Sequence, residues 1–135
     1  MLKGVLINID VNDVQAAIRF YCEGLGLSVG RKFDSGFIEL LGLPSPVYLL
    51  QNGEGTLPFA SAMQGRTYSR HWSPMHMDFV VDNIEVSKER VIEFGAKVEN
   101  DISQNSYGKL ATFSDPFGHG FCLIEFNEKG YDALL

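Results

Sequence analysis

The stretch that decides the fold is Met75-His76-Met77-Asp78-Phe79-Val80-Val81-Asp82-Asn83-Ile84. Its residues alternate between an apolar set and a more polar set, and this period of two predicts a β-strand. Asp82 or Asn83 can cap a helix that begins at Ile84. The face predicted to pack on that helix carries Met77, Phe79 and Val81, and the opposite face carries His76, Asp78 and Val80.

The same pattern occurs earlier in the chain. Val11-Asn12-Asp13-Val14 and Val81-Asp82-Asn83-Ile84 are 70 residues apart, and a period-two strand precedes each of them. Short apolar segments and turns follow both predicted helices, as expected for hairpin strands. The sequence therefore predicts an internal duplication, in which each half runs strand, helix, then hairpin strands.

Composition narrows the class of protein. The chain has 135 residues, 45% of them hydrophobic, and a formal net charge of −6, values typical of one globular domain. The acidic balance disfavours nucleic acid and anionic membranes as partners. No apolar run is long enough to span a bilayer, and the N-terminus does not resemble a signal peptide. With only two cysteines, a cytoplasmic location is the expectation.

The last predicted strand, Gly120–Phe126, is assigned to the same two faces. We expect Cys122, Ile124 and Phe126 on the helix side, which leaves Glu125 on the opposite face with Asn8, His76 and Asp78. That opposite face can meet water or line a cavity, and the alternation alone does not decide between the two.

The order and spacing of three segments resemble the vicinal oxygen chelate superfamily, which includes glyoxalase I, extradiol dioxygenases, methylmalonyl-CoA epimerase, fosfomycin-modifying enzymes and bleomycin-binding resistance proteins. The segments are Ile9-Asp10-Val11-Asn12-Asp13, His76–Asp82 and Asp115-Pro116-Phe117-Gly118-His119 before Cys122-Leu123-Ile124-Glu125. The resemblance covers about Leu2 to Phe126. It implies a single α+β domain over residues 1–135, built from two tandem βαβββ modules at about 1–60 and 74–127. The two modules would form a cupped mixed sheet with helices on its outer face and a small-molecule ligand in the cup.

The resemblance also implies a divalent metal (Fe, Mn, Ni or Zn) held by the first and last strands of each module. His76 and Glu125 match these positions in the second module, where they are the candidate catalytic residues. Leu6 and Gln51 match them in the first, so the expected metal set is His76, Glu125 and Gln51 and is incomplete. Asn8, Asp78, Leu6 and Gln51 are the remaining candidate ligand-binding residues.

Two functions follow from this reading. One is a metal-assisted lyase, isomerase or dioxygenase acting on a small molecule. The other is a non-catalytic protein that sequesters a drug or metabolite, as bleomycin-resistance proteins do; an acidic chain with 12% aromatic residues suits a bulky cationic ligand.

Three structural expectations accompany these functions. Leu6, Gln51, His76 and Glu125 should converge on one cavity. In the absence of metal, His76 should pair with a carboxylate. By analogy with the superfamily, the protein should form a homodimer.

Overall fold

The computed structural model describes Met1–Leu135, which divide into two units, Met1–Ser69 and Arg70–Leu135. The first unit contains a four-stranded mixed sheet in the order β1-β4-β3-β2, where β1 and β4 are parallel and the other neighbours are antiparallel. The strands are β1 (Ile7–Val11), β2 (Ser28–Asp34), β3 (Phe37–Leu41) and β4 (Val47–Gln51).

The second unit repeats this topology in the order β5-β8-β7-β6, with β5 and β8 parallel. Its strands are β5 (Met77–Val80), β6 (Lys97–Asn105), β7 (Gly108–Ser114) and β8 (Gly120–Phe126). Each unit is a βαβββ module. The predicted fold class and duplication are therefore confirmed.

One helix follows the first strand of each module, as the sequence predicted. Helix α1 (Val14–Ile18) continues as a π-helical segment, Arg19–Gly24, and α2 spans Ile84–Glu93. The Asp13 side chain caps α1 by accepting a hydrogen bond from the Ala16 N–H. The Asn83 side chain caps α2 by accepting one from the Val86 N–H. Neither helix meets the length and apolarity that a membrane-spanning helix requires.

The turn at Asp115-Pro116-Phe117-Gly118-His119 is built around its first residue. The Asp115 carboxylate accepts hydrogen bonds from the backbone N–H groups of Phe117 and His119, at 2.8 and 2.9 Å. Gly118 takes a positive φ of 87°, which a residue with a Cβ rarely adopts. The turn joins β7 to β8 and sets where β8 begins, and on its other edge β8 pairs with β5 in a single register.

That register corrects the expected orientation of the last strand. Asp78 lies opposite Cys122, and Phe79 lies opposite Leu123. Because side chains alternate along a strand, Cys122 shares the face of Asp78, and Glu125 shares the opposite, helix-side face with Leu123. The expectation that Cys122 packs on the helix side and that Glu125 faces away from it is wrong.

Candidate functional site

The second module brings together one cluster of potential metal ligands, His76, Asp78 and Cys122. Their ligand atoms all lie within 4.8 Å of one another. The neighbouring strands β5 and β8 place Asp78 and Cys122 side by side, while His76 immediately precedes β5. His76 Nε2 lies 3.1 Å from Asp78 Oδ1, so the predicted contact between His76 and a carboxylate is present, with Asp78 as the partner.

Cys122 is the buried member of this cluster. Burial, and to a smaller extent the negative charge of Asp78, raise the pKa of the Cys122 thiol to about 12. The thiol is therefore protonated at neutral pH and is a weak nucleophile. It can still serve as a ligand if a metal ion displaces the proton.

Glu125 lies away from this cluster and interacts with a helix. Its Oε2 accepts a hydrogen bond from the backbone N–H of Ile84, the first residue of α2, at 2.7 Å. A carboxylate at this end of a helix satisfies a free N–H and interacts favourably with the helix dipole. The expectation that Glu125 and His76 lie together in one cavity is therefore corrected, because they are on opposite faces of the sheet.

In the first module, Gln51 binds the start of the helix as Glu125 does in the second. Its Oε1 accepts a hydrogen bond from the N–H of Val14, the first residue of α1, at 2.9 Å. Gln51 and Glu125 are thus equivalent in the repeat, as the alignment of the two modules predicted, but both are used to bind a helix N-terminus. Gln51 was expected to point into a metal cavity, and instead its side-chain oxygen contacts the start of α1.

The remaining candidates, Leu6 and Asn8, lie just before and on the first strand of the first module. Leu6 precedes β1 and is 64% exposed, and it offers no ligand atom. Asn8 is exposed and lies opposite Tyr48, just as Asp78 lies opposite Cys122. The positions equivalent to His76, Asp78 and Cys122 are therefore Leu6, Asn8 and Tyr48, and the cluster has no counterpart in the first module.

A pocket of about 300 Å³ adjoins the cluster in the second module. Its apolar and aromatic lining includes Trp72, Met75 and Phe121, and its polar lining includes His76 and Cys122. Trp72, the only tryptophan of the chain, is 79% exposed at this pocket. A concave surface that combines apolar and aromatic side chains with polar groups is found in small-molecule sites.

Thr112 also lines the pocket, next to Cys122 across β7 and β8. Its hydroxyl oxygen is buried and has no hydrogen-bond partner. Such groups are uncommon because an unsatisfied buried hydroxyl is costly. The wall of the pocket therefore contains a hydrogen-bonding group that the protein itself does not use.

The first module holds a different polar group, a buried carboxylate. Glu39 is 6% exposed, and Arg31 contacts both of its oxygens, with Nη2 at 2.5 Å from Oε2. These hydrogen bonds lower the pKa of Glu39 to about 2. Gly30 makes room for the carboxylate, since a Cβ there would lie 2.6 Å from Glu39 Oε1. Glu39 is thus neutralised within its own module.

The donor set decides how far the residues fit the metal that the superfamily resemblance implies. One imidazole, one carboxylate and one thiol can supply three ligands to a zinc-like ion. Of the three ligands expected from sequence, only His76 belongs to this set, while Asp78 and Cys122 take the places expected for Gln51 and Glu125. Sequence reasoning missed Cys122 because the apolar run Phe121–Ile124 does not reveal which of its side chains face the helix.

The two repeated βαβββ modules define the class of fold as that of the vicinal oxygen chelate type. A family model described as a glyoxalase-like domain matches residues 6–124. The chain therefore belongs to the glyoxalase-like domain family.

Relatives and solved structures add context. The chain is 31% identical over 130 residues to the anthracycline biosynthesis protein DnrV of Streptomyces peucetius, covering 94% of this chain and 42% of that protein. It thus spans about two fifths of the length of the curated relatives that it matches.

Two solved structures have the same fold. A glyoxalase-related enzyme from Fulvimarina pelagi superposes with a TM-score of 0.72 at 16% identity, covering 93% of this chain and 88% of that one. TnmS3, an antibiotic binding protein from Streptomyces sp. CB03234, superposes with a TM-score of 0.64 at 18% identity, covering 94% and 98%. At these identities the likeness concerns the fold alone.

Proposed function

We propose that this protein binds a planar aromatic small molecule in the pocket of its second module, and that binding does not depend on a metal. The observation that carries the proposal is the pocket itself, in which the exposed indole of Trp72 offers aromatic surface beside several polar groups. Aromatic side chains bind planar ligands by stacking and by burying apolar area.

The relatives favour this class of ligand. DnrV is an anthracycline biosynthesis protein, and the anthracene ring system from which that class takes its name is planar. TnmS3 is an antibiotic binding protein of the same fold. The net charge of −6 also favours a ligand with a cationic substituent, through long-range attraction.

The experiment is a calorimetric titration of the purified protein with doxorubicin as the probe. We expect saturable binding of one molecule per chain and quenching of Trp72 emission on the same binding curve. Trp72→Ala should weaken binding about tenfold, because one stacking surface is lost.

Val86→Ala is the matched control. Val86 is a 63% exposed apolar residue on α2 in the same module, outside the pocket, and its replacement should leave the affinity unchanged. A titration without saturation, or equal losses in both variants, contradicts the proposal.

A metal-assisted enzyme is the second candidate function, and the cluster of His76, Asp78 and Cys122 favours it. These three residues would hold the ion, and the ion would act as a Lewis acid that polarises a carbonyl oxygen of a ligand in the adjoining pocket. The contact of His76 with Asp78 orients the imidazole, and the protonated Cys122 would have to release its proton on metal binding. Elemental analysis of protein made without a histidine tag tests this function, because a bound metal that is lost in His76→Ala would support it.

A further inference from the structure

One side of the pocket is formed by an arginine that is fixed in place. The Arg70 Nε and Nη2 groups donate to the two carboxylate oxygens of Glu99, at 2.6 and 2.9 Å, and Nη1 donates to the backbone oxygen of His71. Both Arg70 and Glu99 line the pocket. A guanidinium held by such a two-point contact has a defined orientation.

Gly120 provides the space for this guanidinium. A Cβ at position 120 would lie 2.5 Å from Arg70 Nη2 and 3.0 Å from Arg70 Cζ. The backbone of Gly120 does not lie in the positive-φ region, so its conformation does not require glycine. The glycine is therefore explained by the close approach of Arg70 to the start of β8, in the wall of the pocket.

Arg70 retains hydrogen-bonding capacity at this position. A guanidinium has five N–H donors, and the contacts with Glu99 and His71 use three of them. Two N–H groups remain for a ligand. Because Glu99 neutralises the positive charge, a neutral oxygen acceptor suits this position better than an anion, which the Glu99 carboxylate would repel.

We infer that Arg70 is a specificity-determining residue that selects aromatic ligands carrying a carbonyl oxygen of the ketone or quinone type. This inference rests on the proposed function and adds to it the functional group that the ligand must carry. The carbonyl accepts hydrogen bonds from the free N–H groups of Arg70 while the rings contact the exposed indole of Trp72. Glu99 and Gly120 act as positioning residues, since they hold the guanidinium and make room for it.

The test compares two probes that differ only in carbonyl oxygens. They are an anthracene and a 9,10-anthraquinone that carry the same trimethylammonium-methyl group, titrated into the protein by calorimetry. The wild-type protein should bind the quinone about tenfold more tightly, the effect expected of one hydrogen bond from a charged donor. Arg70→Gln should bind both probes with similar affinity, because it loses the quinone preference and keeps the aromatic surface.

Gly120→Ala provides an independent variant. The added methyl group displaces the guanidinium, so the quinone preference should fall as it does in Arg70→Gln, while Arg70 itself is still present. Lys88→Gln is the matched control, because it removes another ion pair of the same module, that of Lys88 with Asp101 at 2.5 Å, outside the pocket. This control should keep the full preference.

The outcomes separate the two proposals. If neither probe binds, the proposed function fails. If both probes bind and the ratio of their affinities is the same in the wild-type protein and in Arg70→Gln, the pocket is a ligand site and the inference about Arg70 is wrong. Circular dichroism and thermal unfolding of each variant identify any loss of affinity that comes from misfolding.

Discussion

The buried carboxylate of Glu39 shows how one residue links charge to stability. Its pKa is lowered to about 2, chiefly by the hydrogen bonds from Arg31, whereas the ordinary value is 4.5. A group whose pKa is lower in the folded state stabilises the fold above its unfolded pKa, and this stabilisation is lost as the pH falls through the folded value. The relevant pH window is therefore from about 4.5 down to about 2.

Replacing Glu39 should remove this pH dependence. We expect wild-type protein to be more stable than Glu39→Gln at neutral pH, and the difference should shrink progressively as the pH falls below 4.5. Urea unfolding at pH 7, 4 and 3 measures it. When Arg31 is also replaced by Gln, the effect of Glu39→Gln on stability at pH 7 should be smaller, because the partner of the carboxylate is gone. A stability difference between wild type and Glu39→Gln that stays constant with pH would contradict the assignment.

Cys122 should be an unreactive thiol in the folded protein. Its pKa of about 12 leaves almost no thiolate at pH 8, and it is buried. In a Cys22→Ser variant, in which Cys122 is the only thiol, reaction with Ellman's reagent should be slow until denaturant is added. The matching Cys122→Ser variant reports on Cys22, and fast labelling of folded Cys22→Ser protein would be inconsistent with the described site.

The limits of sequence reasoning are clearest at residue scale. His76 and Asp78 were placed on one face because Met77, Phe79 and Val81 alternate with them. The face on which Cys122 lies could not be predicted, because its neighbours Phe121, Leu123 and Ile124 are all apolar and buried. The sequence around it therefore shows no alternation of apolar and polar residues. Arg70 could not be predicted at all, since its role depends on Glu99 and Gly120, which are far from it in sequence.

At the scale of elements, each module uses a side chain at or next to the end of its last strand to hold the start of its helix. Gln51 contacts Val14 and Glu125 contacts Ile84, in both cases through a side-chain oxygen and the first helical N–H. A neutral amide and a carboxylate thus satisfy the same kind of free donor. Positions 51 and 125 therefore need a hydrogen-bond acceptor and not a charge, so the two modules can differ in charge there.

We therefore expect Glu125→Gln to be tolerated and Glu125→Leu to destabilise the protein by about 1 kcal/mol, the typical value for losing a helix-capping oxygen. Urea unfolding at neutral pH measures both variants. Gln51→Glu and Gln51→Leu form the corresponding pair in the first module. Equal destabilisation by Gln and Leu at position 125 would show that the hydrogen bond to Ile84 is not what matters.

The element order was predictable because its signals are local. Two local signals identify the repeat. Asp13 and Asn83 each mark the start of a capped helix, and an alternating strand precedes each of them. The length of the regular α-helix in the first module was not predictable, since α1 becomes π-helical at Arg19. The strands β2 and β6 are largely exposed and polar, and so lack the apolar alternation that marks a strand.

At the scale of the whole molecule, the duplication is chemically asymmetric. The second module carries His76, Asp78 and Cys122, and the equivalent residues of the first offer no comparable ligand set. Zinc titration should therefore show at most one specific equivalent per chain. That binding should release a proton, because the Cys122 thiol is protonated beforehand.

Calorimetry in two buffers of different ionisation enthalpy measures both the stoichiometry and the proton release. His76→Ala should abolish the specific binding, and Leu6→Ala, the change at the equivalent position of the first module, should not affect it. Two equivalents of equal affinity, or binding that survives His76→Ala, would show that the zinc site lies elsewhere.

The pairing of the strands has a consequence for how the chain reaches its native state. Every strand of the first sheet pairs within Met1–Ser69, and every strand of the second pairs within Arg70–Leu135. No strand pairing joins the two halves of the sequence, so the loops that each sheet must close are shorter and their closure costs less entropy. During synthesis on the ribosome, β1 to β4 are complete before β5 is translated, so the amino-terminal sheet can assemble while the carboxy-terminal half is still being made.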